Sequence, residues 1–136
     1  MSSSSPFILS VVGDKVSRRI LQNLFFQKMG YQKTEIWENS INFPEKINSL
    51  KEIPHLVLLD TNVIPLDGYE MLKLLRLNTA FQNTMIAACT ASVMPEQVSQ
   101  LKEAGFDGLI SKPIIRSNFP EIVRTLLKGQ SLWYIS

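Results

Sequence analysis

Residues 55–68 constrain the fold more than any other part of the chain. Four apolar residues, 56–59 (Leu-Val-Leu-Leu), run without a break and end at Asp60. An apolar run this short is typical of a strand buried on both faces, as in parallel sheets with helices on both sides. Ligands of such sheets bind just beyond the carboxyl ends of the strands, so we expect Asp60 to lie where the chemistry takes place. Taken alone, Asp60 is equally well explained as the start of a turn.

Apolar patterns elsewhere predict four more strands and five helices. The strands are expected at 7–12, 34–37, 85–89 and 108–111, and the helices at 15–29, 42–50, 68–78, 95–104 and 119–127. Strands that alternate with helices indicate a parallel sheet built from right-handed βαβ units. We therefore expect a flavodoxin-like α/β sandwich of three layers, with a five-stranded parallel sheet in the order 2-1-3-4-5 and five helices.

The length of 136 residues fits one domain over 1–136, with a core at about 7–128. The last residues, 129–136, are expected to form an aromatic tail. Its Trp133 and Tyr134 either fold back on the last helix or bind a partner.

Composition is ordinary for a soluble globular protein and excludes several classes of function. Hydrophobic residues make up 45% of the chain and charged residues 19%. A net charge of +2, with 14 basic residues that form no dense run, gives no sign of nucleic-acid binding. The single cysteine, Cys89, excludes an internal disulfide and fits a reducing compartment. No apolar run approaches the roughly 20 residues that a membrane helix needs, and residues 1–6 do not resemble a signal peptide. We therefore expect a cytoplasmic protein without membrane contact.

Four side chains from separate parts of the chain are expected to meet at one rim of the sheet. In the order 2-1-3-4-5 the first and third strands are neighbours, which places Asp14 beside Asp60. Thr90 and Lys112 end the fourth and fifth strands at the same rim. Each also has an ordinary structural explanation. Lys112 could be a solvated loop residue, Thr90 a strand-end hydroxyl bonded to backbone, and Asp14 the N-cap of the first helix.

The residue types at this rim suit phosphoryl transfer. Two adjacent carboxylates repel each other unless a cation bridges them, so Asp14 and Asp60 favour Mg²⁺. A carboxylate can act as a nucleophile toward phosphorus and form an aspartyl phosphate. The transfer then needs stabilisation of charge on the phosphoryl oxygens, which a metal ion, a lysine and a hydroxyl can supply.

With these residues in this order, the chain resembles the receiver domain of two-component response regulators. The resemblance covers 7–127 and rests on five short motifs at the expected strand ends. They are Val12-Gly13-Asp14, Leu58-Leu59-Asp60, Pro65-Leu66-Asp67-Gly68, Thr90-Ala91 and Ser111-Lys112-Pro113.

The resemblance implies a role for each residue of the rim. It makes Asp60 the phosphoacceptor, Thr90 the hydroxyl that moves to hold the phosphoryl group, and Lys112 the lysine that pairs with it. It implies Mg²⁺ as the cofactor, bound by the carboxylates of Asp14 and Asp60 and by the backbone carbonyl of Asn62.

Two positions depart from the family pattern. Receivers usually have paired acids after the first strand, but Gly13 replaces the first of them, so a weakened affinity for Mg²⁺ is expected. Receivers commonly have Tyr or Phe on the fifth strand, where the ring turns inward when the threonine moves. Leu109 stands there and cannot make this rotation. The face formed by the fourth helix, fifth strand and fifth helix is therefore expected to switch differently, or hardly at all.

The resemblance implies a stand-alone receiver that accepts a phosphoryl group on Asp60 from a sensor histidine kinase or a phosphotransfer protein. It would signal through contacts with a downstream protein that the sequence does not identify. The sequence is also compatible with a homodimer. It would not be a conventional enzyme, although it would assist its own phosphorylation and dephosphorylation. The main alternative is a pseudo-receiver, an interaction module whose altered acidic pocket no longer reacts. A flavin-binding protein is disfavoured because no phosphate-cradling loop follows the first strand, and a DNA-binding regulator because no helix-turn-helix follows the receiver.

Overall fold

The apolar run 56–59 is unbroken because its residues serve two separate cores. In the computed structural model, which describes residues 5–136, Leu56 and Leu58 pack against one layer of helices. Val57 and Leu59 pack against the other layer. All five residues of this strand, Leu56–Asp60, are buried. A polar residue anywhere in the run would face one core or the other without a partner.

Within residues 5–136 the sheet has six parallel strands in the order 2-1-3-4-5-6. The strands are β1 (Ile8–Val11), β2 (Glu35–Trp37), β3 (Leu56–Asp60), β4 (Met85–Thr90), β5 (Gly108–Ser111) and β6 (Leu132–Tyr134). The α-helices described there are α1 (Lys15–Gln22), α2 (Phe43–Asn48), α3 (Gly68–Leu77), α4 (Pro95–Ala104) and α5 (Phe119–Leu127). The flavodoxin-like fold, the parallel sheet and the five helices are confirmed, whereas the prediction of five strands is wrong.

The sixth strand replaces the tail that was predicted at 129–136. β6 pairs in parallel with β5, and Trp133 lies opposite Leu109. The two backbones approach closely because residue 108 is glycine: a Cβ on Gly108 would lie 2.6 Å from the carbonyl oxygen of Leu132. Three apolar residues are too few to show the alternation that marks a strand, so the sequence alone does not indicate β6.

The aromatic residues of β6 fold back on the domain. The ring of Trp133 lies beside α4, with Lys102 Nζ 5.1 Å from its centroid. On the other face, the Tyr134 hydroxyl accepts a hydrogen bond from Asn118 Nδ2 at 2.7 Å. An aromatic ring is therefore present one strand away from Leu109, on the side of α4.

Helices cover both faces of the sheet. α1 and α5 pack on one face, while α2, α3 and α4 pack on the other. The first helix differs from its prediction: its α-helical part ends at Gln22 and a π-helical segment, Asn23–Lys28, continues it. In that segment the N–H of Met29 donates to the carbonyl of Leu24, five residues earlier. Every helix within the described part of the chain is too short or too polar to cross a lipid bilayer.

Candidate functional site

Lys112 joins the two carboxylates at the carboxyl ends of the strands. Its Nζ donates to Asp14 Oδ1 at 2.6 Å and to Asp60 Oδ2 at 2.8 Å. The three residues come from the ends of β1, β3 and β5, which the strand order brings to one rim. The ammonium group thus lies between two carboxylates that would otherwise repel each other and offsets one of their two negative charges. The Lys112-Pro113 peptide bond is cis.

Asp60 is the most enclosed charged group of the site. Its side chain is 5% exposed, and three donors hold it. Oδ1 accepts the N–H of Asn62 at 3.0 Å, and Oδ2 accepts the N–H of Gly13 at 3.3 Å in addition to Lys112 Nζ. A buried carboxylate is tolerated only when its oxygens are hydrogen-bonded, and these donors satisfy both. They fix the orientation of Asp60 toward a cavity of about 410 Å³ that Asp14 and Lys112 also line.

Asp14 has a structural role and a place in the site at the same time. Its Oδ2 accepts the N–H of Ser17 at 2.8 Å and caps α1, while its Oδ1 contacts Lys112. Burial raises the pKa of Asp14, but the hydrogen bonds from Lys112 and Ser17 outweigh burial and lower the pKa to about 2. The carboxylate is therefore ionised at neutral pH.

Lys112 keeps its proton in the same surroundings. Burial lowers the pKa of Lys112, but the hydrogen bonds to Asp14 and Asp60 outweigh burial and raise it above its usual value. The site thus holds a permanent positive charge directly beside the Asp60 carboxylate.

Thr90 lies beside the site, and its hydroxyl contacts Thr61 and Ser92 and not Asp60. Its carbonyl accepts the N–H of Lys112 at 2.9 Å, which ties the end of β4 to the end of β5. Its hydroxyl oxygen lies 3.0 Å from the hydroxyl of Thr61 and accepts the N–H of Ser92 at 3.1 Å. These two contacts hold the buried Thr90 side chain toward a second cavity of about 230 Å³, lined in part by both threonines.

The oxygen donors at this rim fit Mg²⁺. Asp14, Asp60 and Asn62 line the same cavity and offer carboxylate and carbonyl oxygens, which Mg²⁺ prefers. Nowhere in residues 5–136 do three His, Cys, Asp or Glu side chains form a group able to hold a metal ion. A Cβ on Gly13 would lie 3.9 Å from Val63 Cγ2 and 4.0 Å from Asp60 Oδ2, so a side chain at this position would make only ordinary contacts at its Cβ.

Sequence reasoning missed Arg18. Its Nη1 donates to the carbonyls of Val12 and Gly13 at 3.1 and 2.7 Å. Its Nη2 lies 3.5 Å from Glu38 Oε2, and Glu38 lines the larger cavity. The only available signal is spacing, because Arg18 follows Asp14 by one helical turn and so lies on the same face of α1. A positive charge therefore stands beside the position where receivers usually have an acid.

The lowered pKa of Asp14 makes the stability of the fold sensitive to acid. A pKa of about 2 in the folded state, against 3.8 for an ordinary aspartate, means that ionised Asp14 stabilises the fold above about pH 4. This contribution is lost as the pH falls from about 4 to about 2. We expect the urea midpoint of the wild type to fall more steeply over this range than that of Asp14→Asn. Asparagine keeps a capping oxygen without the charge. The urea midpoints are measured by circular dichroism at a series of pH values. If the midpoints of the wild type and Asp14→Asn fell equally steeply between pH 4 and pH 2, this role of Asp14 would be contradicted.

Comparison with known sequences identifies the family. The family model for the response regulator receiver domain matches residues 8–124. The chain is 31% identical over 121 residues to sporulation initiation phosphotransferase F of Bacillus subtilis, covering 89% of this chain and 94% of that protein. It is 28% identical over 127 residues to response regulator Rre1 of Synechocystis sp., covering 93% of this chain. The match covers 54% of Rre1, so the chain spans about half the length of that relative.

Solved structures have the same fold. Chemotaxis response regulator CheY4 of Vibrio cholerae superposes with a TM-score of 0.77 at 19% identity, covering 90% of this chain and 99% of that one. The receiver domain of sensor histidine kinase PA1611 from Pseudomonas aeruginosa, solved with magnesium in its active-site cleft, gives 0.78 at 19% identity, covering 92% and 99%. The matched region runs from β1 into α5 and contains every motif at the rim, and by this match the chain belongs to the response regulator receiver family of two-component signalling.

Proposed function

We propose that this chain is a stand-alone receiver that accepts a phosphoryl group on Asp60 and signals through protein contacts. The supporting observation is the state of the Asp60 carboxylate, which is 5% exposed and fixed by Lys112 Nζ and two backbone N–H groups. A nucleophile held in one orientation beside a permanent positive charge is suited to attack on an anionic phosphoryl group.

In the proposed reaction, an Asp60 oxygen forms a bond to phosphorus while the bond between phosphorus and the donor's histidine nitrogen breaks. Lys112 stabilises the negative charge on the phosphoryl oxygens, and Thr90 provides a hydroxyl to one of them. Asp14, Asp60 and the Asn62 carbonyl are the groups that would hold Mg²⁺, which when bound supplies further charge stabilisation. With Gly13 in place of one acid and Lys112 bridging the other two, we propose a weaker affinity for Mg²⁺ than in a receiver with three carboxylates.

The proposed phosphodonor is a sensor histidine kinase or a phosphotransfer protein, as for receiver domains in general. The similarity to a sporulation phosphotransferase supports a place in a phosphorelay.

We also propose that 1–136 is a single receiver domain in the cytoplasm. The family match over 8–124 and the free, buried thiol of Cys89 support this. Interaction experiments with the phosphorylated chain would identify the downstream protein and show whether the chain forms a homodimer.

Intact-mass spectrometry tests the proposal. After incubation with phosphoramidate or acetyl phosphate and Mg²⁺, we expect one added phosphoryl group in the wild type and none in Asp60→Ala. Asp67→Asn is the matched control, because it removes another carboxylate after β3 while asparagine keeps the oxygen that caps α3. This variant should be labelled like the wild type.

If the phosphoryl group on Asp60 is hydrolysed too rapidly to be detected by mass, beryllofluoride can take its place. Its binding is followed by NMR. A wild type that takes up neither a phosphoryl group nor beryllofluoride at any Mg²⁺ concentration would overturn the proposal. That result would favour a pseudo-receiver, whose partner contacts should be indifferent to Asp60→Ala.

A further inference from the structure

We propose that Thr61 is a positioning residue that holds the Thr90 hydroxyl in its resting position and thereby opposes phosphoryl binding at Asp60. The inference rests on the proposed function, in which Thr90 turns toward the phosphoryl group. It concerns a residue that the resemblance to receivers does not single out.

The first step in the argument is the contact itself. The Thr61 hydroxyl donates to the Thr90 hydroxyl oxygen at 3.0 Å, and this oxygen also accepts the N–H of Ser92 at 3.1 Å. A hydroxyl offers one proton and two acceptor sites, and these two donors occupy both acceptor sites of Thr90. Thr90 itself is 1% exposed. Thr61 donates this bond, and a turn of the Thr90 hydroxyl toward Asp60 breaks it.

The second step is that Asp60 offers Thr90 little before phosphorylation. Its two oxygens already accept bonds from Asn62, Gly13 and Lys112. Thr61 and the Ser92 N–H therefore fix the position of the Thr90 hydroxyl in the unmodified protein. A phosphoryl group adds three acceptor oxygens at this position, and the Thr90 hydroxyl can donate its own proton to one of them only after it turns away from Thr61 and gives up the bond that Thr61 donates.

The consequence is that part of the energy of phosphoryl binding is used to break the Thr61–Thr90 bond. A hydrogen bond between neutral groups contributes an amount equivalent to about two- to tenfold in an equilibrium constant. Removal of the Thr61 hydroxyl should favour the phosphoryl-bound arrangement by this factor.

Beryllofluoride titration at saturating Mg²⁺, followed by the NMR signal of the Ser92 amide, tests the inference. Thr61→Val has nearly the same shape without the hydroxyl, and we expect it to bind beryllofluoride about two- to tenfold more tightly than the wild type. Thr61→Ser restores the hydroxyl and should restore the wild-type affinity. In a Thr90→Ala background, Thr61→Val should have no effect on affinity, because the two residues act through one bond. Thr61→Ala serves as a second hydroxyl-free variant if Thr61→Val does not fold.

The outcomes separate this inference from the function on which it rests. Equal or weaker beryllofluoride binding by Thr61→Val, with a wild type that binds, would overturn the role of Thr61 and leave the phosphoacceptor intact. The role of Thr61 would also be overturned if Thr61→Val changed the affinity for beryllofluoride equally in the wild-type and Thr90→Ala backgrounds. A wild type that binds no beryllofluoride would overturn the proposed function and this inference together.

Discussion

Replacement of Gly13 by aspartate is expected to tighten the binding of Mg²⁺ roughly 30-fold, since a third carboxylate at this rim adds about 2 kcal/mol of attraction for a divalent cation. The position accepts a side chain, because its Cβ would make only ordinary contacts at 3.9 and 4.0 Å and its backbone lies outside the left-handed region. Arg18, bonded to the Gly13 carbonyl at 2.7 Å, offsets part of the added charge.

Isothermal titration calorimetry with Mg²⁺ measures this effect directly. Gly13→Asn is the control, because asparagine fills the same volume without the charge and should bind Mg²⁺ nearly as the wild type does. If wild type and Gly13→Asp bound Mg²⁺ equally well, the missing acid would not be what weakens the site.

Replacement of Gly108 by alanine is expected to lower the free energy of unfolding by about 3 kcal/mol, in the range typical of overpacked sites. The added Cβ would lie 2.6 Å from the carbonyl oxygen of Leu132 and 3.0 Å from Leu126 Cδ2. The first of these atoms belongs to the backbone and cannot turn aside, so β6 must move away from β5. Hydrogen exchange of the β6 amides should accelerate accordingly.

Urea unfolding and hydrogen exchange together test this prediction. Gly13→Ala is the matched glycine control, since its Cβ meets nothing closer than 3.9 Å and its stability should stay close to that of the wild type. Wild-type stability and wild-type protection of residues 132–134 in Gly108→Ala would contradict the proposed packing of β6.

The sequence was sufficient to predict the features that depend on local patterns. The run 56–59 has to be apolar because it faces two cores, and this places Asp60 at the end of a central strand. The strand order then brings Asp14 and Lys112 to the same rim, where the structure has them in contact.

Features that depend on distant contacts could not be predicted. Three residues form β6 because β5 and α5 offer them a surface, and the glycine that permits this, Gly108, lies 24 residues before Leu132. The bond between Thr61 and Thr90 depends on side-chain rotation, which no pattern of residue types encodes.

The parallel direction of β6 decides where the chain leaves the domain. A parallel strand ends at the same rim as its neighbours, and the N–H of Ser136 donates to Ser111 Oγ at 2.8 Å, one residue from Lys112. An affinity tag joined after Ser136 would therefore emerge at the same rim of the sheet as Asp60, where it would obstruct a docking kinase. A tag placed before β1 would start at the amino ends of the strands, on the side of the sheet opposite to the rim with Asp60. Phosphorylation should therefore be measured on protein tagged at that position.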